Sequence, residues 1–552
     1  MAATPQIRAL MERWEMLKAR RLGHETVWQE LLDLMAPFRG DVTTKKSMGS
    51  KRLGAIFDST ASRAADKFAN FLMGAIFPNT GDWLKLRPPR EIAGDERLSQ
   101  LLDLTRLRVL EALSESNFYV EAAQALRDLS ILANMTVSVE ELPPTVNGTA
   151  AFRGLRFEAI PVFDYWWQLG RGRVNYIVRR VTMPALDAVR EFSSYPGKNI
   201  LDIARRQPME DVEILHFVYE NEEGIPGDLV PAANKPWTSI WVANAGGDNE
   251  AIIPTGKDEA IGGFDFLPYI TARWLTVQGE EYGRGPGHFA RPDAKGVNKL
   301  KELVLIAAGR DINPVLLTED DSVTQLDAGP SGVAVYRPGA RPPEYLRSGS
   351  DYRVADEIGR QDREQINQAF FIDVFGEPES QPRSAEESLQ RRERALAQLA
   401  APARVVERAF LAPVISATLQ LMQRADALPE LEEYANLSGS DRVESTFESP
   451  FFTATKSQAA QKTRVFVAQA IERAGATGDP SWLDRLDPDE ITRLDAELAD
   501  VDARIFRSEE EIEAVRNARA ERQAAEEAQR ALQTVGRAGK GLSALQEGGA
   551  LG

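Results

Sequence analysis

The strongest constraint on this chain lies in its middle, between Gly283 and Glu387. Two stretches with helical periodicity, 292–309 and 350–371, flank an excursion that carries Pro314, Pro330, Pro338, Pro342 and Pro343 with several glycines. Proline fixes φ and donates no backbone N–H, so this composition rules out a long helix or a central strand. The excursion reads as turns with short strands such as Val333 to Tyr336. Then comes Phe370-Phe371, a polar stretch with Gly376, Pro378 and Pro382, and Ser384-Ala-Glu-Glu387, a capping-box pattern that starts a helix. The sequence describes a scaffold that carries a loop to a defined place, and nothing in it resembles catalytic machinery.

The chain has 552 residues, a length that suggests roughly three or four domains or one elongated multi-layer subunit. With 43% hydrophobic residues, 9 Trp and 23 Phe, a large core is available and wholesale disorder is excluded. Cysteine is absent, which removes disulfides, thiolate metal sites and cysteine nucleophiles together. No basic segment followed by an apolar run opens the chain, so no signal peptide is expected. The apolar run Leu303 to Ala308 is far short of the ~20 residues that span a bilayer, so a soluble protein with no membrane partner is expected. A formal net charge of −17 would repel DNA over most of the surface. Tight grip through phosphate neutralisation normally needs a basic protein.

Periodicity orders the rest. Residues 4–36 read as helix, with Thr4 as cap, Pro5 at the first position, and Ile7, Leu10, Trp14 and Leu17 on one face. A second apolar set, Val27, Trp28, Leu31, Leu32 and Met35, follows Gly23. Asp58-Ser-Thr-Ala61 opens a helix with Phe68, Leu72 and Ile76 as its buried stripe, and Trp83 to Leu86 alternates like a strand. Residues 96–132 read as two helices broken near Ser116, with Leu101, Leu104, Leu107 and Leu110 as the apolar positions of the first. From Met135 to about Ile270 the pattern is that of strands, with turns at Asn147-Gly148 and Gly170-Arg-Gly172 and a helical insert over 184–207. The helix at 350–371 has Ser350 as cap and only a thin stripe, Val354, Ile358, Ile366 and Phe370, interrupted by Asp362. After Ser384 a long helix runs to about Ala427, bent by Pro402 and Pro413. Further helices are expected over 457–474 and from Ser508 to about Val535, before a Gly- and Ala-rich tail.

Several chemistries are missing. There is no phosphate loop, and Gly283-Arg-Gly-Pro-Gly287 reads as an ordinary turn. His24, His216 and His288 are spread along the chain without ligand spacing, and no hydrolase elbow is present. The acidic run Glu319-Asp-Asp321 reads as a solvated turn. No catalytic residue, metal site or cofactor is expected. One basic cluster stands out. Arg284, Arg291, Lys295, Lys299, Lys301 and Arg310 against Asp293 and Glu302 leave a local charge of +4. The residues fit either a solvated, ion-paired face or a face toward DNA or a partner.

Short patterns in a fixed order carry a resemblance. They are Ala36-Pro37, Phe57-Asp58-Ser-Thr-Ala61, Pro78 before Asp82-Trp83, Tyr282-Gly-Arg-Gly-Pro-Gly287, Asn313-Pro314, Phe370-Phe371 through Arg383 to Glu387, and Ser449-Pro450-Phe before Ser457-Gln-Ala-Ala-Gln461. From about Arg8 to about Gln529 the chain resembles the portal, or head-to-tail connector, proteins of short-tailed bacteriophages. Ser384 and Phe451 depart mildly from the family pattern.

The resemblance implies an α+β portal fold, mainly helical with a strand-rich wing, assembled as a ring of about twelve copies around a DNA channel. It implies a wing over 1–291, stem helices over 292–310 and 350–372, a clip over 311–349 and a tunnel loop over 373–383. It further implies a bent wing helix and return over 384–475, crown helices over 476–535 and a disordered tail over 536–552. Asp373, Gly376, Glu377, Pro378, Glu379 and Arg383 would face the channel, as would the stem bases Lys295, Lys299, Lys301 and Arg310. Asn313, Pro314, Glu319, Asp320, Tyr336 and Arg337 would meet partners at the clip. Those partners would be the terminase large subunit, the tail adaptor, and the major capsid and scaffolding proteins, with transient sequence-independent contact to double-stranded DNA. The protein would be made in the host cytoplasm and reside at the capsid portal vertex. Two other readings are weighed: a non-enzymatic helical scaffold or adaptor that binds only proteins, and a hydrolase with an unrecognised carboxylate pair.

Overall fold

In a computed structural model of the chain, Pro5 opens a helix of 31 residues, α1 (Pro5–Met35), that is not broken at Gly23. The structure describes residues 5–44, 47, 49–50, 52–77, 83–87, 96–142, 152–192, 198–221, 235–244, 251–253, 261–317, 323–326, 334–339, 341–342, 344–346, 352–375, 404–428, 444–447, 465–473, 486, 491, 512, 514–519, 521–522 and 524–525. The chain divides into two compact units, Met1–Phe452 and Thr453–Gly552.

In the first unit the two apolar sets of α1 serve different cores. Ile7, Leu10, Trp14 and Leu17 pack on Trp166, Tyr176, Phe217 and Ile240. Trp28, Leu31, Leu32 and Met35 join the main core. The switch of face after Gly23 is thus a switch of partner along one continuous helix. The expected stripe of α2 (Thr60–Ile76) is buried in the main core at Phe68, Leu72 and Ile76. β1 (Leu84–Arg87) pairs antiparallel with a strand at Glu444–Phe447.

The break near Ser116 separates α3 (Glu96–Glu115) from α4 (Phe118–Leu132). Asn117 at the break donates its amide to the Phe157 carbonyl at 2.7 Å and accepts the Phe157 N–H at 2.9 Å, so it acts as a strand partner for the sheet edge. The leucines at a spacing of three are not the inner face of α3. Leu104 and Leu107 are exposed, while Leu98, Leu102, Val109 and Leu113 are buried. A period of three drifts around a 3.6-residue helix, whereas steps of three, four and seven keep one face.

The strand block forms two antiparallel sheets. β2 (Asn134–Glu141) lies between β3 (Leu155–Ile160) and β10 (Tyr269–Arg273). The larger sheet orders β4 (Tyr165–Gly170), β5 (Arg173–Pro184), β6 (Asp211–Glu220), β7 (Trp237–Asn244) and β8 (Ala251–Ile253), with β9 (Gly262–Phe264) also on β7. β4 shows no alternation in sequence, because Tyr165-Trp-Trp167 is buried on both faces. Arg171 and Gly172, with φ of 51° and 84°, make the two-residue turn from β4 to β5 that the right-handed strand twist favours. The helical insert is α5 (Ala185–Glu191) and α6 (Lys198–Arg206). The turn at Asn147-Gly148 lies outside the described residues.

The first long central helix starts earlier than the sequence suggests: α7 spans Pro286–Ile312. Gly285 is extended and Pro286 occupies the first turn, where a missing N–H costs nothing. Gly287 has no room for a side chain, since a Cβ there would lie 2.2 Å from the Ile131 carbonyl oxygen. The glycine-rich stretch therefore seats α7 against the end of α4. Four short strands follow: β11 (Val315–Leu317) pairs with β14 (Glu344–Leu346), and β12 (Val323–Leu326) with β13 (Ala334–Tyr336). α8 (Tyr352–Ala369) and a single turn, α9 (Ile372–Phe375), complete this region.

The expected kink at Pro413 takes another form. Residues 407–411 widen into a π turn in which the Ala412 N–H bonds to the Glu407 carbonyl, and α10 (Ala412–Arg424) continues from it. A proline ring clashes with the carbonyl four residues back, and the wider turn relieves that clash. Among the described residues one helical run, Arg404–Arg424, is long and apolar enough to cross a membrane. Its Val406, Phe410, Val414 and Ile415 are buried in the main core, as in a core helix. Pro402, Leu396, Leu399 and the capping box at Ser384 lie outside the described residues. In the second unit residues 465–473 and 514–519 are helical, within the two stretches expected to be helix.

Candidate functional site

α7 and α8 form an arm whose two helices run antiparallel. Gly296 lies against Asp362, Leu300 against Gly359, and the Tyr352 hydroxyl bonds to the Asp311 carboxylate, so positions rise along one helix as they fall along the other. A Cβ at Gly296 would sit 3.2 Å from the Asp362 carboxylate, which makes close approach a consequence of the glycine. Burial, and then the neighbouring Asp362, push the Asp293 carboxyl above its usual range. A cleft of about 300 Å³ opens between the helices, floored by Val297, Leu300, Val304 and Ala355 with Lys301 and Asp356 beside them.

The thin stripe of α8 splits in two. Val354 and Ile358 are 56% and 46% exposed, whereas Ile366 and Phe370 are fully buried. The outer part of α7 and the strands beyond it continue the exposed apolar surface with Leu305, Ile306, Ile312, Val315 and Tyr345. The buried end of α8 is held by polar groups as well. Arg363 reaches the Asp58 carboxylate at 2.9 Å. Asn298 of α7 accepts the N–H groups of Phe57 and Asp58 and donates to the Ala55 carbonyl at 3.0 Å. Burial raises the Asp58 carboxyl, but hydrogen bonds from Thr60 and Arg363 outweigh it and leave it below the usual range. In the sequence Asp58 opens a helix and belongs to the Phe57-Asp58-Ser-Thr-Ala61 pattern, and neither points to Arg363. Asn298 and Arg363 carry no local signal, since their partners lie more than 200 residues away.

The basic cluster is largely ion-paired. Arg284 meets Glu280 at 2.7 Å, Arg291 and Lys295 both meet Glu30, at 3.4 and 3.0 Å, and Lys299 meets Glu302 at 2.9 Å. Lys301 and Arg310 make no ion pair among the described residues. Asn313 ends α7, its N–H bonded to the Gly309 carbonyl, and Pro314 leads into β11. Tyr336 pairs in register with Val323, and Arg337 follows it on an exposed turn. Asp373 lies on the turn of helix α9, where a loop was expected. Glu319, Asp320, Gly376, Glu377, Pro378, Glu379 and Arg383 lie outside the described residues.

The histidines are not scattered in space as they are in sequence. His24 stacks on Trp28 at 5.5 Å and faces Tyr282, close enough to His288 for their charges to interact. Burial, then Arg284, hold His288 down at about 4. His216 bonds through Nε2 to the Ser239 hydroxyl at 2.8 Å and through Nδ1 to the Tyr269 hydroxyl at 2.5 Å. That pair has the outline of a nucleophile and its base, but Ser239 and His216 are both buried inside the large sheet. No group of three or more metal-binding side chains occurs among the described residues.

Compared with known proteins, residues 8–506 match the family described as bacteriophage head to tail connecting protein. The portal protein of Salmonella phage epsilon15 is 24% identical over 99% of this chain and 97% of its own length. The probable portal protein of Bordetella phage BPP-1 is 23% identical over 95% of this chain and 93% of its own. A chain of the solved neck of an empty GTA particle is 12% identical, over 79% of this chain and 94% of its own length, with a TM-score of 0.34.

Proposed function

We propose that this chain, which belongs to the bacteriophage head to tail connecting protein family, is a portal protein: a virion component at the head–tail connection that forms the channel for packaged DNA. The observation that carries the reading is the exposed apolar surface of the α7–α8 arm, with Leu305, Ile306, Ile312 and Val354 open to solvent in a single copy. Surfaces of that kind are covered by partners. A closed ring of about twelve copies covers the same surface on every subunit and leaves no open edge.

In this reading α7 and α8 are the stem helices, starting at Pro286, and the strands between Val315 and Leu346 are the clip. The clip, with Asn313, Pro314, Glu319, Asp320, Tyr336 and Arg337, meets the terminase motor and later the tail adaptor. Capsid and scaffolding proteins surround the ring, and the subunit is made in the host cytoplasm. The segment 373–383, which begins on α9, is the tunnel segment, whose Asp373, Glu377 and Glu379 against Arg383 give −2 per subunit. Such a segment repels phosphates and touches passing DNA loosely. The ion pairs on Arg284, Arg291, Lys295 and Lys299 reduce the free positive charge of the stem. DNA held by few counterion-releasing contacts slides. Lys301 and Arg310 are the bases left to face the channel. Packaging energy comes from the separate motor, since the chain has no phosphate loop.

Mass measurement and electron microscopy of the purified chain test the reading. Rings with a central hole are expected. A stable monomer at high concentration, across several salt conditions, would overturn it.

A further inference from the structure

α8 should end in a glycine and does not. Its last hydrogen bonds run from the Phe370 N–H to the Ile366 carbonyl at 3.2 Å and from the Phe371 N–H to the Gln368 carbonyl at 3.0 Å. Phe371 then takes φ of +57°, the left-handed conformation that closes many helices. Glycine adopts it freely, and for a bulky side chain it is an outlier that persists only where the surroundings impose it. Among the described residues only Ala133, Arg171, Phe371 and Asp426 are non-glycine residues with positive φ, and Phe371 is the bulkiest that closes a helix.

The surroundings that impose it are visible. The Phe371 ring stacks on Phe68 of α2 at 5.6 Å and 29°, and Phe370 meets the same ring at 6.4 Å. Phe68 is itself fully buried, with Trp274 edge-on to it at 5.7 Å. After Phe371, Ile372 starts α9 and packs onto the main core. One glycine would close the helix equally well without fixing the direction of the next turn.

We propose that Phe371 is a positioning residue: its stacking on Phe68 holds a left-handed cap and so aims α9 at a fixed angle to the stem helix. This rests on the portal reading only where DNA is concerned. The local clamp stands on its own geometry.

The test uses the full chain, assembled, with Phe371→Gly and Phe371→Ala. Both lose the ring, but only glycine is free of the left-handed cost. Phe371→Ala is expected to lower the unfolding midpoint more than Phe371→Gly, the reverse of their order inside a helix. Phe371→Gly is expected to keep the parental ring mass, to raise hydrogen exchange ~tenfold over 370–375 and nowhere else, and to lower the DNA retained by filled particles. An alanine variant as stable as the glycine variant overturns the cap. A glycine variant with parental exchange and parental DNA retention overturns the positioning role. Absence of rings from the parent chain would count against the portal reading instead, and the glycine–alanine order together with local exchange would still decide on Phe371.

Discussion

The body of the first unit and the α7–α8 arm treat apolar side chains in opposite ways. In the body, Trp28, Trp167, Phe68, Phe118 and Tyr282 are fully buried, and Tyr282 meets Trp28 edge-on at 5.0 Å and stacks on Trp167 at 5.1 Å. In the arm, residues of the same hydrophobicity lie open: Ile312 is 84% exposed. The body draws its stability from its own packing. The arm has one buried end, at Ile366 and Phe370, and leaves Leu305, Ile306, Ile312 and Val354 exposed. The exposed apolar surface of the arm is thus separate from the core.

That contrast can be broken most directly in the body. Trp167 donates its indole N–H to the Glu281 carbonyl and stacks on Tyr165 and Tyr282. Trp167→Ala should lower protomer stability by about 3–5 kcal/mol in a urea titration. A loss as small as that of an arm substitution would show that the body is not the stabilising half.

Acid should act next at the first turn of α7, where His288 lies close to His24 of α1. His288 is held at about 4 in the fold against an ordinary 6.5, by burial first and Arg284 second. Above about 6.5 both folded and unfolded chains keep it neutral, so the full stability is present there. As pH falls below that, the unfolded chain takes a proton that the fold refuses, and stability drops by roughly 3 kcal/mol by pH 4. His24, lowered by burial, adds in the same direction. His288→Gln should flatten this fall in unfolding curves measured between pH 7 and pH 4, and an unchanged pH dependence would remove His288 as its cause.

A smaller effect is expected at the junction of the two regions. Asp58→Asn removes the charge that holds Arg363 and should cost about 1–2 kcal/mol, because the pair is only partly shielded from water. The loss should appear as faster hydrogen exchange in the buried end of α8, residues 363–370. Exchange that quickens equally along all of α8 would mean the helix is not held at one end.

The smallest change in protomer stability should come from the arm itself. Ile312→Asp is expected to alter unfolding by no more than about 0.5 kcal/mol, since Ile312 buries almost nothing within the chain. The same variant should lose the assembled form, read by mass in solution. If it assembled like the parent, the exposed face would not be the assembly surface.

Much of this architecture was legible in the sequence because its causes are local. Pro5, the faces of α1, the break at Ser116 and the strand-to-turn rhythm from Met135 to Ile270 follow from backbone chemistry and hydrophobic period. The ordered motifs from Ala36-Pro37 to Ser449-Pro450 were sufficient to indicate the family, and residues 8–506 match it. Tertiary packing decided the rest. Which leucines of α3 are buried, the start of α7 at Pro286 and the doubly buried strand β4 all depend on surfaces from distant parts of the chain. So do the ion pairs of the stem bases with Glu30, the approach of His24 to His288, the hold of Asn298 and Arg363 on residues 55–58, and the left-handed Phe371 on Phe68. A sequence states what each side chain prefers; only the folded chain states which neighbour, 200 residues or more away, satisfies or overrides that preference.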